Sequence, residues 1–146
     1  MSHLDPADDV LQLVNTLRRS GVRLGERQFA PTEALSVHAI LREVALRHAT
    51  ELSRRRTLSH ADEHGLDAPQ RVTNAGYRWC IAGENIARGQ PDATEVVRSW
   101  RTSAGHCEVL MNPLYVHTGV ALVISDDPTY PTYWVQVFAA PMDTDG

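Results

Sequence analysis

The chain of 146 residues has few of the features that mark several common protein classes. Its two cysteines, Cys80 and Cys107, are too few for a disulfide-rich scaffold, although one bridge remains possible. It has 14 basic and 18 acidic residues, and the net charge of −4 excludes a global basic field that would attract nucleic acid or anionic lipid. No run approaches the roughly 18 consecutive apolar residues of a membrane-spanning helix.

The remaining composition is that of an ordinary globular domain. Hydrophobic residues make up 42% of the chain and charged residues 22%, which argues against disorder and repeats. The length suits a single domain with one core. The first residues, MSHLDPADD, lack the charged and then apolar layout of a signal peptide, so the sequence predicts either a cytoplasmic protein or a mature secreted form.

The hydrophobic periodicity predicts helices first and strands last. The predicted helical segments cover residues 7–20, Ser36 to Arg56, 70–76, Asp92 to Ser103 and 106–113. The predicted strands cover residues 77–87, 116–125 and 133–140, with the last two forming an antiparallel hairpin. This order indicates an α+β layered domain, because a parallel α/β fold would alternate its helices and strands.

The longest predicted helix has two candidate N-caps and one histidine near its apolar stripe. Thr32 and Ser36 are both candidates for its N-cap. His48 lies near the apolar stripe of this helix, and we interpret it as a partly buried histidine bonded to a neighbour, because nothing typical of a metal site flanks it.

One short motif suggests a metallopeptidase. Residues 60–64 read HADEH, which fits the H-x-x-E-H pattern of inverted zinc peptidases with Glu63 as the base. That chemistry needs both histidines on one face of a continuous helix. Gly65 follows the motif directly and Pro69 comes soon after, so the sequence favours a loop and disfavours the peptidase.

Two other groups of residues are candidates for chemistry. Cys107 could act as a nucleophile with His60 or His117 as base, but its neighbour His106 would point about 100° away from it on a helix, which favours an unreactive cysteine. His60, Glu84 and His106 each lie beside a small residue in a loop or at an element end. Two imidazoles and a carboxylate are a common zinc ligand set, but spacing alone favours ordinary surface polarity for the three residues.

A set of ordered motifs resembles a known family. The segments LSHADEHG, NAGY, AGENIARG, VVRSWRTSAGHC, HTGVALV and YWVQVF resemble the CAP superfamily of cysteine-rich secretory proteins, antigen-type proteins and plant pathogenesis-related proteins, and most of all its bacterial secreted SCP-domain branch. The resemblance implies a three-layer α-β-α sandwich with a central antiparallel sheet. It implies one domain over residues 7–141, between tails at 1–6 and 142–146.

The resemblance also implies a metal site. Members of the superfamily carry two histidines and two glutamates in a cleft that can hold a divalent cation such as zinc or magnesium. Matching by motif assigns His60, Glu84 and His106 as metal ligands, with no catalytic residue and no cofactor needed for folding. In this chain Ser103 stands where the superfamily has its second glutamate. This difference would weaken metal binding, because a hydroxyl is a poor zinc ligand.

Other residues around this cleft receive supporting roles from the resemblance. Asp62 is the candidate to replace the missing carboxylate, and Asn85 is expected to fasten a loop through hydrogen bonds. If the GENIA and GHC segments converge on one cleft, Cys80 and Cys107 come close, so we predict a disulfide between them, with two free buried thiols as the alternative.

The function that the resemblance implies is binding. We expect a secreted or periplasmic protein, in a mature form without signal peptide, whose cleft takes a metal, a small molecule or a lipid-like ligand. Nucleic acid is not an expected partner, and the chain is not expected to be an integral membrane protein. Two alternatives remain open: a zinc-dependent hydrolase that uses Glu84 or a bound water as base, and a structural scaffold without a ligand.

Overall fold

A computed structural model describes residues 5–143 of the chain. The predicted tails at 1–6 and 142–146 therefore lie in part outside the described residues. The elements in chain order are α1 Pro6–Ser20, β1 Val22–Leu24, β2 Arg27–Phe29, β3 Ser36–Val37, α2 Ala39–Arg55, α3 Ala68–Asn74, β4 Trp79–Arg88, α4 Ala93–Arg101, α5 Ala104–Leu110, β5 His117–Ile124 and β6 Thr132–Pro141. None of the helices within residues 5–143 has the length and apolar character needed to span a bilayer.

The central sheet has the strand order β3-β5-β6-β4. The β5–β6 hairpin is antiparallel as predicted, and β4 adds to β6 antiparallel, so that Glu84 lies opposite Val137. The short edge strand β3 runs parallel to its neighbour β5. Helices α2 and α3 cover one face of the sheet, while α1, α4 and α5 cover the other. The predicted α+β three-layer sandwich is confirmed.

The helix ends follow the local chemistry of the sequence. Asp5 caps α1 by accepting a hydrogen bond from the backbone N–H of Ala7, and Pro6 occupies the first turn, where no N–H is needed. Asp92 caps α4 as predicted by accepting from the backbone N–H of Glu95 at 2.9 Å. A full reciprocal capping box occurs instead at α3, between Asp67 and Gln70.

The region before α2 differs from the prediction. The helix begins at Ala39, because Ser36 and Val37 pair with β5 as strand β3. Its cap is His38, whose Nδ1 accepts from the backbone N–H of Ile40 at 3.2 Å, so neither Thr32 nor Ser36 has this role. The segment 21–31, which none of the predicted helices and strands covers, contains the small hairpin of β1 and β2.

A fully buried arginine joins the first helix to the segment that follows α5. Arg18 at the end of α1 donates to four backbone carbonyls at 2.7–3.1 Å, which belong to Glu33, Leu110, Asn112 and Tyr115. Burial lowers the pKa of this guanidinium, but its hydrogen bonds satisfy the donors that burial removes from water. The contact fixes α1 against the loop that follows α5.

β5 and α2 approach each other closely at Gly119. A Cβ atom on Gly119 would overlap the backbone of Leu41 and Arg42. Glycine is therefore required here for the sheet and the helix to touch, although its φ angle is an ordinary one.

Replacing Gly119 by alanine should lower the free energy of unfolding by about 1–3 kcal/mol, because the methyl group would push α2 away from the sheet. Urea denaturation followed by circular dichroism measures this loss. The control is Gly105→Ala in α5, where no atom lies within 4 Å of the added Cβ, and it should leave stability unchanged or slightly raised. Equal losses in both variants would contradict the packing argument.

Candidate functional site

The site is centred on a buried acid in a strand. Glu84 lies in β4, and its side chain is only 1% exposed. Because side chains alternate between the faces of a strand, Glu84 points with Ile86 toward the α2 and α3 layer, while Asn85 points to the opposite face. A carboxylate in such a place needs partners for both of its oxygens.

Three basic side chains surround this carboxylate. Arg71 in α3 donates from one Nη2 atom to both oxygens, at 2.9 and 3.1 Å, and Nδ1 of His60 lies 3.0 Å from Oε1. Nε2 of His48 lies 3.7 Å from the same oxygen. Burial alone would raise the pKa of Glu84, but the hydrogen bond from His60 and the charge of Arg71 outweigh it and hold this pKa below its usual value. Glu84 is therefore an anion at neutral pH.

Arg71 also orders the loop that carries His60. The same Nη2 atom donates to the backbone carbonyl of His60 at 2.7 Å. The Nε atom of Arg71 also donates to the backbone carbonyl of Leu66, just before the start of α3, at 3.4 Å. The arginine thus connects α3, the loop and β4 in one network.

His60 combines a fixed nitrogen with a free one. The Nδ1–H group donates to Glu84, which leaves Nε2 without a proton in the neutral ring and free to bind a ligand. The hydrogen bond to Glu84 raises the pKa of His60 above its usual value, although burial opposes the rise. The side chain is 59% exposed, so solvent and ligands can reach it.

His106 approaches the same region from α5. Its Nδ1 lies 2.9 Å from the hydroxyl oxygen of Ser103, and its backbone carbonyl accepts a hydrogen bond from the Asn85 side chain at 3.1 Å. Burial lowers the pKa of His106, and the charge of His60 lowers it further. The residue beside Glu84 therefore fastens the helix that presents the second imidazole.

Asp62 has a local role in the structure. Its Oδ1 accepts from the backbone N–H groups of His64 and Leu66, at 2.8 and 2.9 Å, so the carboxylate closes the turn of this loop. The HADEH segment is non-helical, and Gly65 has a φ of 77°. The loop that the sequence favoured is confirmed, and the single helix face of a zinc peptidase is not formed there.

The expected disulfide is not present, since both cysteines are free. Cys107 is fully buried on the face of the sheet covered by α1, α4 and α5, where Trp100 lies in the same cluster. Cys80 is exposed and lines a groove with Thr73 and Tyr77. Tyr77 belongs to the core cluster on the opposite face of the sheet, which α2 and α3 cover. Burial raises the pKa of the Cys107 thiol, which keeps it protonated and unsuited to nucleophilic attack.

Two residues of the network were not predicted to contact Glu84. His48 fits the interpretation of a buried histidine bonded to a neighbour, because its Nε2 lies 2.8 Å from the Ser59 carbonyl, but its approach to Glu84 was missed. Arg71 was missed entirely. The only local signal was the Asp67 and Gln70 capping pair, which places an arginine on the first full turn of a helix.

The chain matches a known protein family over most of its length. Residues 11–138 match the family model of the cysteine-rich secretory protein family, CAP. The chain belongs to this family. It is 29% identical over 113 residues to the uncharacterised protein YkwD of Bacillus subtilis (strain 168), a match that covers 77% of this chain and 42% of YkwD. The chain therefore spans about two fifths of the length of this curated relative.

Solved structures share the fold. An outer surface protein from Borrelia burgdorferi aligns with a TM-score of 0.76 at 23% identity, over 97% of this chain and 99% of that one. An extracellular protein containing a SCP domain from Bacillus anthracis str. Ames also aligns with a TM-score of 0.76, at 21% identity, over 92% of this chain and 40% of that one. This chain thus shares its fold with both proteins.

The contact between His60 and Glu84 predicts a linked titration. By NMR, His60 should titrate above the usual histidine pKa of about 6.5, and Glu84→Gln should remove this rise because the amide carries no charge. The folded-state pKa of His60 exceeds the unfolded one, so its stabilisation is complete below about pH 6.5 and is lost as the pH rises through the folded-state pKa.

The same linkage gives a difference in stability. His60→Gln should therefore cost more free energy of unfolding at pH 6 than at pH 8.5, as measured by denaturant titration at both values. His64→Gln is the control, since His64 is an exposed histidine of the same loop without a bond to Glu84. A cost for His60→Gln that did not change with pH would refute the linkage.

Proposed function

We propose that the chain is an extracellular CAP-domain binding module that holds a divalent cation such as zinc between His60 and His106. The observation that carries the proposal is the state of the two rings. Each imidazole has Nδ1 engaged by an oxygen, from the Glu84 carboxylate or the Ser103 hydroxyl, which leaves Nε2 as the nitrogen for a cation. Within residues 5–143, neither Nε2 atom has a hydrogen bond. Metal-binding histidines almost always use their second nitrogen in this way, because the bond orients the ring.

The residues fit a cation with a modified ligand set. Glu84 was expected to be a ligand, but both of its oxygens are bonded to Arg71 and one also to His60. We therefore assign Glu84 to orienting His60, and the two imidazoles to the cation. A zinc ion bound there would act as a Lewis acid with positions open for water or for a ligand oxygen.

This ligand set has few protein donors. Zinc sites in proteins use three or four protein ligands, and Ser103 stands where the superfamily has its second carboxylate. Within residues 5–143, no three histidine, cysteine, aspartate or glutamate side chains are grouped so that they could hold a metal ion together. Binding should accordingly be exchangeable and not required for folding. This property suits a module that takes up a ligand through the cation and later releases it.

An extracellular location has two supports. The family is one of secretory proteins, and the two bacterial structures with the same fold are described as an outer surface protein and an extracellular protein. Burial keeps the thiol of Cys107 protonated, which disfavours a cysteine nucleophile next to His106.

Zinc titration by calorimetry tests the proposal. His60→Ala and His106→Ala should each abolish stoichiometric uptake, since either change removes half of the protein ligands. Ser103→Ala should weaken binding by about 10–100-fold, because it removes only the partner that orients His106. His64→Ala should bind as the wild type does.

The controls separate the proposal from the two alternatives. Circular dichroism must show that each variant is folded. Uptake that persists in both the His60→Ala and the His106→Ala variants would contradict the site, and a lower melting temperature without any zinc binding would indicate a structural scaffold. Turnover of an ester or peptide that a chelator stops and zinc restores would indicate the hydrolase.

A further inference from the structure

A cavity lies apart from the Glu84 network. It has a volume of about 330 Å³ and opens between the start of α2, the turn after α3, the start of β5 and the end of β6. Its polar walls are His38, Arg78 and His117, with Tyr77 beside them, and we call this the imidazole pocket. None of His60, Glu84 and His106 lines it.

Three rings form a fixed wall of the imidazole pocket. The ring centroids of His38 and Tyr77 lie 4.9 Å apart, and those of His38 and His117 lie 5.0 Å apart. The Tyr77 hydroxyl lies 2.8 Å from Nδ1 of His117. These contacts hold the two imidazoles side by side, so their remaining nitrogens can act on one ligand.

The hydrogen bonds of these rings determine what they can offer. Nδ1 of His38 accepts from the backbone N–H of Ile40, so the neutral ring carries its proton on Nε2 and is a donor there. A metal at this Nε2 would require the proton to move to Nδ1, which would break the cap of α2. The pocket therefore favours a hydrogen-bond acceptor over a cation.

The charges around the pocket agree with an anionic acceptor. Arg78 supplies a cation, and the positive end of the 17-residue helix α2 begins at His38. Among the described residues that line the pocket, none is acidic. A carboxylate would meet an imidazole N–H, a guanidinium and a helix N-terminus together.

An apolar groove continues from the same pocket. It has a volume of about 630 Å³, shares Tyr77, Arg78 and Met142 with the imidazole pocket, and adds Trp79 and Cys80. We call it the tryptophan groove. The Trp79 indole N–H donates to the Thr73 hydroxyl at 2.7 Å and to the Pro69 carbonyl at 3.0 Å, so its ring is a rigid wall. No acidic side chain lines this groove either, within the part of the chain that the structure describes.

We propose that these two adjoining surfaces bind a small amphiphilic carboxylate. The carboxylate group occupies the imidazole pocket, where it accepts from His38, and its hydrocarbon chain lies in the tryptophan groove. A polar donor cluster that opens directly into an apolar groove matches a ligand with one charged end and one apolar end. This site is independent of zinc binding at His60 and His106.

Octanoate is the probe for this site, with acetate and octylamine as comparisons. Trp100 and Trp134 are fully buried, so a fluorescence change on titration reports Trp79, and calorimetry gives the affinity. Octanoate should bind saturably. Acetate lacks the chain and octylamine reverses the charge, so each should bind at least about tenfold more weakly. Absence of octanoate binding, or equally tight octylamine binding, would overturn the proposal.

One substitution tests the carboxylate end without removing the helix cap. His38→Asp keeps a good N-cap for α2 but places a negative charge in the pocket, so octanoate affinity should fall by at least about tenfold while the melting temperature is retained. His64→Asp, at an exposed histidine elsewhere, should bind octanoate normally. Unchanged octanoate binding by a folded His38→Asp variant would overturn the proposal, and zinc uptake measured on the same variant should equal that of the wild type.

Discussion

The structure depends on the hydrogen bonds that offset the cost of burying one ionised carboxylate, that of Glu84. Taking an ionised Glu84 out of water costs several kcal/mol unless partners replace its hydration. Arg71 and His60 supply those partners, and they come from a helix and a loop that precede β4 in the chain. These segments are held together because leaving either the acid or the arginine unpaired in this place is costly.

The same bond decides which atoms face a ligand. Glu84 accepts hydrogen bonds from Arg71 and from Nδ1 of His60. Its effect on a ligand is therefore indirect: it orients the His60 ring and leaves Nε2 of that ring free. Asn85 points to the other face of the strand and fixes α5 through the His106 carbonyl. Strand alternation thus lets one Glu-Asn dipeptide organise two layers of the sandwich and bring two imidazoles toward a common region.

The sequence allowed the layered fold to be predicted, because the long helices have clear periodicity and caps and the final hairpin has strong β formers. The short strands β1, β2 and β3 were missed, since two or three residues show no period. Spacing alone left His60, Glu84 and His106 unconnected, and only the family resemblance grouped them. Arg71 was one of 14 basic residues, and only the tertiary fold brings it to Glu84. The disulfide prediction was wrong because nearness in sequence to Glu84 and His106 does not fix where a side chain lies: Cys107 is buried in the core and Cys80 is exposed.

The hydrogen bonds of Arg18 to distant backbone carbonyls affect how the chain folds during synthesis. The Arg18 guanidinium binds carbonyls that lie 92 to 97 residues further along the chain. The first helix therefore cannot reach its final place until residue 115 has left the ribosome, and the last hairpin, which completes the sheet, emerges later still. The domain should thus collapse in one late step, with its earliest segment exposed to proteases and chaperones through most of translation.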